Sequence, residues 1–116
     1  MTKKGKIWGD TECIFSNGIV SVHFLDIKKG GYCSEHCHKQ KTNRFYVIKG
    51  DLEISVWEDK TTCDKTILRA GQSTVIPFDV WHKFRAITDV ECIEVYEVKS
   101  DGDDIERRTQ GGILYA

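Results

Sequence analysis

The sequence predicts an all-β fold on the strength of three observations. Short runs in which apolar and polar residues alternate fill most of the chain, and a period of two is typical of strands. Residues that tolerate turn geometry separate these runs at regular intervals. No stretch carries the apolar stripe at 3.6-residue spacing that an amphipathic helix needs. Strands in this arrangement predict a sandwich or a barrel.

The first three strands are predicted in the segment that leads to a pair of histidines. Thr11–Phe15 and Val20–Ile27 alternate between apolar and polar residues, and Asn17-Gly18 separates them as a turn. Lys28-Lys29-Gly30-Gly31 ends the second strand. The third strand is predicted over Tyr32–His38.

Three further strands are predicted in the middle of the chain. Arg44–Lys49 is apolar on both faces, which places it centrally or against a partner chain. After the turn at Gly50, Leu52–Trp57 alternates, so one of its faces is expected on the core. Glu58-Asp59-Lys60 forms the next break, and Thr66–Leu68 is a short strand beyond it.

The last three strands are predicted after Ala70-Gly71, over Ser73–Ile76, His82–Ala86 and Cys92–Val98. Pro77 follows the first of them, at a strand end where its missing donor costs little. The tail from Ser100 to Arg108 is expected either to form a helical turn capped by Asp or to lie along the barrel. The sequence leaves these two alternatives open.

Length and charge predict one domain over residues 1–116, because the chain is of ordinary single-domain size. The formal net charge of -1 gives no footprint for nucleic acid or for a membrane surface. No apolar run approaches the roughly 20 residues of a membrane helix, and the basic start is not followed by the apolar run of a secretory signal. We therefore expect a cytoplasmic protein.

The five cysteines argue against a disulfide framework, since their number is odd and no signal is predicted. Cys33 and Cys37 lie roughly 13 Å apart on the predicted strand, too far to bridge. Their parity is opposite to that of His36 and His38, so we expect them to point away from those histidines. All of them are predicted to be small buried or semi-exposed thiols.

The histidines predict a metal site. His36 and His38 stand two residues apart on a predicted strand, so both imidazoles point to one face. His82, from a distant strand, can complete the site. Three neutral imidazoles suit Zn, Fe, Ni, Mn or Cu with positions open for water or substrate. The alternative is an empty polar barrel whose histidines only form hydrogen bonds.

Two motifs resemble those of the cupin superfamily. The first is Gly30-x5-His36-x-His38-x4-Asn43-x6-Gly50, and the second is Gly71-x5-Pro77-x-Asp79-x2-His82-x3-Ala86. The resemblance implies a double-stranded β-helix, or jelly-roll, barrel in which His36, His38 and His82 coordinate a divalent metal. Asn43 stands where these motifs carry Glu, and its amide oxygen can coordinate the metal or hold a metal-bound water.

A closer resemblance is to the type II mannose-6-phosphate isomerase cupin domain. It is carried by Ile7-Trp8-Gly9, Leu25–Gly30, Gln72–Pro77, Ile93-Glu94-Val95 and Asp103–Arg107. It implies a small metal-binding cupin that acts on or binds a phosphorylated or nucleotide-linked sugar. Asn43-Arg44 stands where that family has Glu-His, so the resemblance leaves open whether this chain is an enzyme.

An isomerase also needs a base that moves a proton between adjacent carbons. Asp79 and Glu94 are the candidates, and Asp79 is preferred because it lies just before His82. The alternative for Asp79 is an ordinary turn aspartate. The alternative for Glu94 is an outward residue paired with Arg44 or Arg85.

Two other functions fit the same residues. Three histidines without the Glu also resemble the Fe(II) thiol dioxygenases of the cupin superfamily. A non-catalytic sugar-binding module is the third hypothesis, and it is motivated by the missing Glu. Four side chains are predicted as phosphate contacts or as a solvated exterior: Arg44, Lys49, Arg69 and Arg85.

Two expectations concern residues outside the motifs. His23 lies on a strand without a motif partner and is expected to be a surface or semi-buried histidine. A homodimer is expected to cover the apolar outer face at Tyr46 and Ile48.

Overall fold

The fold is all-β, as predicted. The computed structural model describes residues 3–98 and 105–115, and these residues contain strands and no helix. The strands are β1 (Lys3–Lys6), β2 (Gly9–Ser16), β3 (Val20–Ile27), β4 (Gly31–Tyr32), β5 (His36–Cys37), β6 (Lys41–Lys49), β7 (Leu52–Trp57), β8 (Cys63–Leu68), β9 (Ser73–Ile76), β10 (Trp81–Ala86), β11 (Val90–Val98), β12 (Glu106–Arg107) and β13 (Gly112–Ile113).

Two antiparallel sheets form a jelly roll. The first has the strand order β1-β2-β3-β11-β6-β9, so its centre is made of segments far apart in the sequence. In the second, β10 pairs with β7 on one side and with both β4 and β5 on the other. β8 extends this sheet beyond β7, while β13 and β12 extend it beyond β4 and β5.

The core lies between the two sheets and consists of alternate residues of their strands. On β6, Phe45 and Val47 are buried while Tyr46 and Ile48 are exposed, so the strand is buried on one face. The Phe45 ring packs edge-on against Phe84 of β10, with 6.1 Å between the ring centroids. This aromatic contact connects the two sheets.

The predicted third strand, Tyr32–His38, is interrupted in the structure. Arg85 of β10 pairs with Tyr32, and His82 of β10 pairs with His36. The two pairs are three residues apart along β10 but four residues apart along the segment from Tyr32 to His36. The extra residue breaks the strand into β4 and β5. It also reverses the parity of Cys33, whose Sγ accepts a hydrogen bond from the backbone N–H of Phe84 at 3.2 Å.

The other predicted strands form, most of them longer than expected. Val20–Ile27, Leu52–Trp57 and Ser73–Ile76 have the predicted bounds, whereas β8 begins at Cys63 rather than Thr66 because it pairs with β7 along its full length. Three short strands, β1, β12 and β13, are additions. In the predicted tail, residues 100–104 lie outside the described residues, and Glu106–Arg107 pairs with β5 rather than forming a helical turn.

Two further features bear on the sequence predictions. All five cysteines are free thiols. The part of the chain that the structure describes contains no helix that is long and apolar enough to span a membrane.

Candidate metal centre

Three histidines converge inside the jelly roll. His36 and His82 face each other across β5 and β10, and His38 follows directly after β5. All three are buried, and one ring nitrogen from each lies within 4.8 Å of the other two. The ring centroids of His36 and His82 are 4.3 Å apart. The predicted convergence of these imidazoles is therefore present in the structure.

Backbone carbonyls orient two of the rings. His36 Nδ1 lies 2.6 Å from the Ser34 carbonyl oxygen, and His82 Nδ1 lies 2.9 Å from that of Val80. A carbonyl oxygen only accepts, so each Nδ1 carries the proton and donates, which leaves an Nε2 lone pair for a ligand. This is the arrangement that usually holds a metal-bound imidazole in place.

The Nε2 atom of His82 is the strongest sign that the cluster suits a metal. It is buried, and no hydrogen-bond partner for it exists among the described residues. A buried nitrogen lone pair without a partner is costly. A divalent cation that prefers nitrogen ligands, such as zinc, would supply the partner.

Burial keeps the imidazoles of His36 and His82 neutral. It lowers the pKa of His36 to about 3, and the neighbouring His82 and His38 act in the same direction. Burial also lowers the pKa of His82 to about 4, partly opposed by its hydrogen bond to Val80. Both rings are therefore uncharged near neutral pH, as metal ligands must be.

Asn43, which the sequence predicts as a fourth ligand, interacts with a carboxylate. Its side chain is buried on β6, and its amide nitrogen donates to Glu94 Oε2 over 2.9 Å. Its amide oxygen is the atom that could reach a metal or a metal-bound water, and this role stays a prediction.

Glu94 points into the barrel rather than outward to Arg44 or Arg85. It lies opposite His23 in the register of β3 and β11, and its side chain is buried. Burial raises the pKa of Glu94 to about 7, while hydrogen bonds from Tyr96 and Asn43 partly oppose this. The carboxyl group can therefore both bind and release a proton near neutral pH.

Asp79 occupies an exposed position in the loop before β10. Its φ of 58° lies in the left-handed region, and its backbone N–H donates to the His38 carbonyl oxygen at 2.8 Å. The residues that line the cavity beside the histidines do not include it. Asp79 thus anchors the segment that carries His38, and its predicted role as a base stays untested.

An open cavity of about 980 Å³ gives access to the centre. His36 and His38 lie on its wall together with Glu94 and Tyr96. The Tyr96 ring stands edge-on to His38, with 5.5 Å between centroids. Two histidines of the cluster and the Glu94 carboxyl group therefore open onto the same cavity.

Two further residues of the cavity wall, Cys33 and His23, lie outside the cluster. Cys33 was expected to point away from the histidines, but the extra residue between β4 and β5 turns it onto the cavity wall. His23 is half-buried, within the prediction of a surface or semi-buried histidine; it also lines the cavity and lies 2.7 Å from Ser21 Oγ. Because His23 lies two residues after Ser21, the sequence could show that both lie on the same face of β3. Only the pairing of His23 with Glu94 of β11 shows that this face points inward.

Several solved structures share this fold. Oxalate decarboxylase from Bacillus subtilis superposes with a TM-score of 0.79 at 15% identity, covering 91% of this chain and 29% of that one. KdgF from Halomonas sp. gives a TM-score of 0.69 at 18% identity, covering 77% of this chain and 79% of its own. At these identities the likeness shows the fold alone.

Sequence comparison identifies the family. Polyketide synthase CurC of Streptomyces cyaneus is 35% identical over 72 residues, which are 62% of this chain and 44% of that protein. Protein SchB of Streptomyces halstedii is 33% identical over 72 residues, which are 62% of this chain and 49% of that protein. The match thus spans about half the length of these curated relatives. A family model described as a cupin domain matches residues 23–96, well over half of the chain. The chain belongs to the cupin domain family.

Proposed function

We propose that this cupin is a metal-dependent enzyme in which Glu94 moves a proton on a small molecule bound in the cavity. One observation carries the proposal: a buried carboxyl group with a pKa of about 7 shares the cavity with the histidine cluster. A general acid–base catalyst works best when its pKa lies near the working pH.

His36, His38 and His82 would hold the divalent metal, with Zn, Mn, Fe or Ni as the ions that suit an all-imidazole set. When bound, such an ion polarises a carbonyl or hydroxyl oxygen of the ligand. Mn(II) centres occur in the Bacillus subtilis oxalate decarboxylase, which supports a divalent ion in this fold.

Two neighbours position the proposed base. The Asn43 amide donates to Oε2 of Glu94, and the Tyr96 hydroxyl group also donates to this carboxylate. Both hydrogen bonds favour the ionised form, whereas burial favours the protonated form. Because these effects are opposed, the carboxyl group can take a proton from one carbon of a ligand and return it to the next.

The ligand class we propose is a phosphorylated or nucleotide-linked sugar, with aldose–ketose isomerisation as the reaction. The mannose-6-phosphate isomerase resemblance motivates this class. One-base proton transfer between adjacent carbons matches Glu94, which is the one buried carboxylate among the described residues. A non-catalytic sugar-binding module is the outcome if the ligand binds without turnover.

The second candidate function is an Fe(II) thiol dioxygenase. It is favoured by the ligand set, because the residues grouped around the site supply three imidazoles and no carboxylate. Oxygen uptake by Fe(II)-loaded protein with a panel of small thiols would support it, and the absence of uptake across the panel would remove it.

We further propose a cytoplasmic homodimer. Five free thiols suit a reducing compartment. Tyr46, Ile48 and Val75 lie on neighbouring strands of one sheet and are 47%, 45% and 43% exposed, which suits burial against a second copy.

The enzymatic proposal is tested by hydrogen exchange. Protein loaded separately with Zn, Mn, Co or Ni is incubated with mannose 6-phosphate in D₂O, and deuterium at C2 is followed by NMR. We expect exchange that Glu94→Gln lowers at least a hundredfold and that Glu91→Gln, on the opposite face of β11, leaves unchanged. Equal exchange in Glu94→Gln and wild type would refute Glu94 as the base.

A further inference from the structure

The wall of the cavity carries an excess of positive charge. Lys6 at the end of β1, Lys41 at the start of β6 and Arg107 at the end of β12 all line it. Glu94 is the one acidic side chain among the described lining residues. Lys6 and Arg107 are exposed and Lys41 is half-buried, so the three cations lie toward the solvent side of the cavity, and Arg107 also stands opposite His36 in the pairing of β12 with β5.

The three cations act on the same place. Burial dominates the pKa of both Glu94 and Tyr96 and raises each of them. The charges of Lys41 and Lys6 lower the pKa of Glu94, and the charge of Arg107 lowers that of Tyr96. Glu94 and Tyr96 are hydrogen-bonded neighbours, so the three charges all act on this pair.

The three cations have no ion-pair partner among the described residues, although other lysines and arginines do. Lys41 is instead held over the Tyr96 ring, with Nζ 5.3 Å from the centroid. This contact fixes a partly buried ammonium group beside the proposed base.

We propose that Lys41, with Lys6 and Arg107, forms an oxyanion subsite that binds a phosphate or carboxylate group of the ligand. The inference rests on the proposed function for the reacting end of that ligand. At the other end of the ligand, an anionic group is held at the mouth of the cavity while the adjoining carbons reach Glu94 and the histidine cluster. Ammonium and guanidinium groups are the usual protein partners of such oxyanions.

The cations predicted from the sequence as phosphate contacts do not line this cavity. Arg85 and Arg69 instead face Glu53 and Asp51 at 3.4 and 3.9 Å. The subsite is therefore made by residues from three strand ends that only the fold brings together.

The test is an NMR titration of the full chain with inorganic phosphate and, separately, with acetate. Both titrations are run on the protein as purified and again after chelation, since the three cations are not metal ligands. We expect binding that survives chelation and that Lys41→Met weakens about tenfold. Methionine keeps the apolar stem over Tyr96 and removes only the charge.

Lys83→Met is the matched control, because Lys83 lies over the Tyr32 ring at 5.2 Å but does not line the cavity. It should leave both titrations unchanged. Arg107→Gln provides a second variant and should also weaken binding. Binding of phosphate supports a phosphate ester, and binding of acetate alone supports a carboxylate.

Equal affinity in Lys41→Met and wild type, or binding of neither anion, would overturn the subsite. A failed proton-exchange assay with intact anion binding would reject the proposed function and not the subsite.

Discussion

Replacing Glu94 with glutamine should change how the stability of the metal-free protein depends on pH. The native carboxyl group has a pKa of about 7, against 4.5 as its ordinary value. Between these values the folded protein holds a proton that the unfolded chain has released, so this group's stabilising effect is complete below pH 4.5 and is lost as the pH rises to 7.

The size of the effect follows from this difference in pKa. At 1.36 kcal/mol per pH unit, the ionised Glu94 reduces the free energy of unfolding by about 3 kcal/mol at pH 8 relative to pH 4.5. Glutamine has no such titration, and its amide oxygen still accepts from Asn43. The free energy of unfolding of Glu94→Gln, relative to that of the wild type, should therefore rise by about 3 kcal/mol from pH 4.5 to pH 8.

The histidines change the free energy of unfolding with pH in the opposite direction, so the variant must be compared with the wild type. His36 and His82 have lowered pKa values of about 3 and 4, so the unfolded chain takes up protons first when the pH falls below 6.5. Their contribution is present above pH 6.5 and is lost as the pH falls. Both proteins share this loss, so the difference between them isolates Glu94.

The assay is urea unfolding of chelated protein from pH 4.5 to 8, followed by circular dichroism. Glu91→Gln is the control variant, because it removes a carboxyl group from the other face of β11. A constant difference between Glu94→Gln and wild type across this range would refute the proposed protonation of Glu94.

Three other predictions concern packing, backbone and metal. Phe45→Ala should lower the free energy of unfolding by about 3–5 kcal/mol, because Phe45 is 1% exposed against Phe84; a loss below about 1 kcal/mol in urea unfolding would contradict this packing. Gly30→Ala should lower the melting temperature markedly, because Gly30 has φ +82° and an added Cβ would meet the Leu114 carbonyl oxygen; an unchanged melting curve would contradict the close approach. Free Zn²⁺ at about 100 times its Kd should raise the free energy of unfolding of the metal-free protein by about 2.7 kcal/mol. An unchanged free energy of unfolding with every divalent metal tested would contradict metal binding to the folded state.

The positions of most strands could be predicted because alternation and turn residues are local signals. Leu52–Trp57 shows this best, since its alternation, its bounds and its buried face agree with the structure. The short strands β12 and β13 could not be predicted, because each forms only by pairing with β5 or β4 far back in the chain.

The three-histidine cluster could be predicted because spacing and parity place His36 and His38 on one face. The rest of the site depends on register, which alternation does not fix. Glu94 could have faced either way until β11 paired with β3, and Cys33 changes face through one extra residue opposite β10. The cations of the cavity mouth lie at strand ends, where the sequence carries no periodic signal.

The proposed chemistry requires the histidine cluster to bind a divalent metal, which elemental analysis can detect. Protein purified without a nickel-affinity step should contain about one divalent ion per chain. His38→Ala and His82→Ala should remove most of it while circular dichroism shows the fold retained, and His23→Ala, a cavity histidine outside the cluster, should keep it. Equal metal content in wild type and the His38 or His82 variants would contradict metal binding by the cluster.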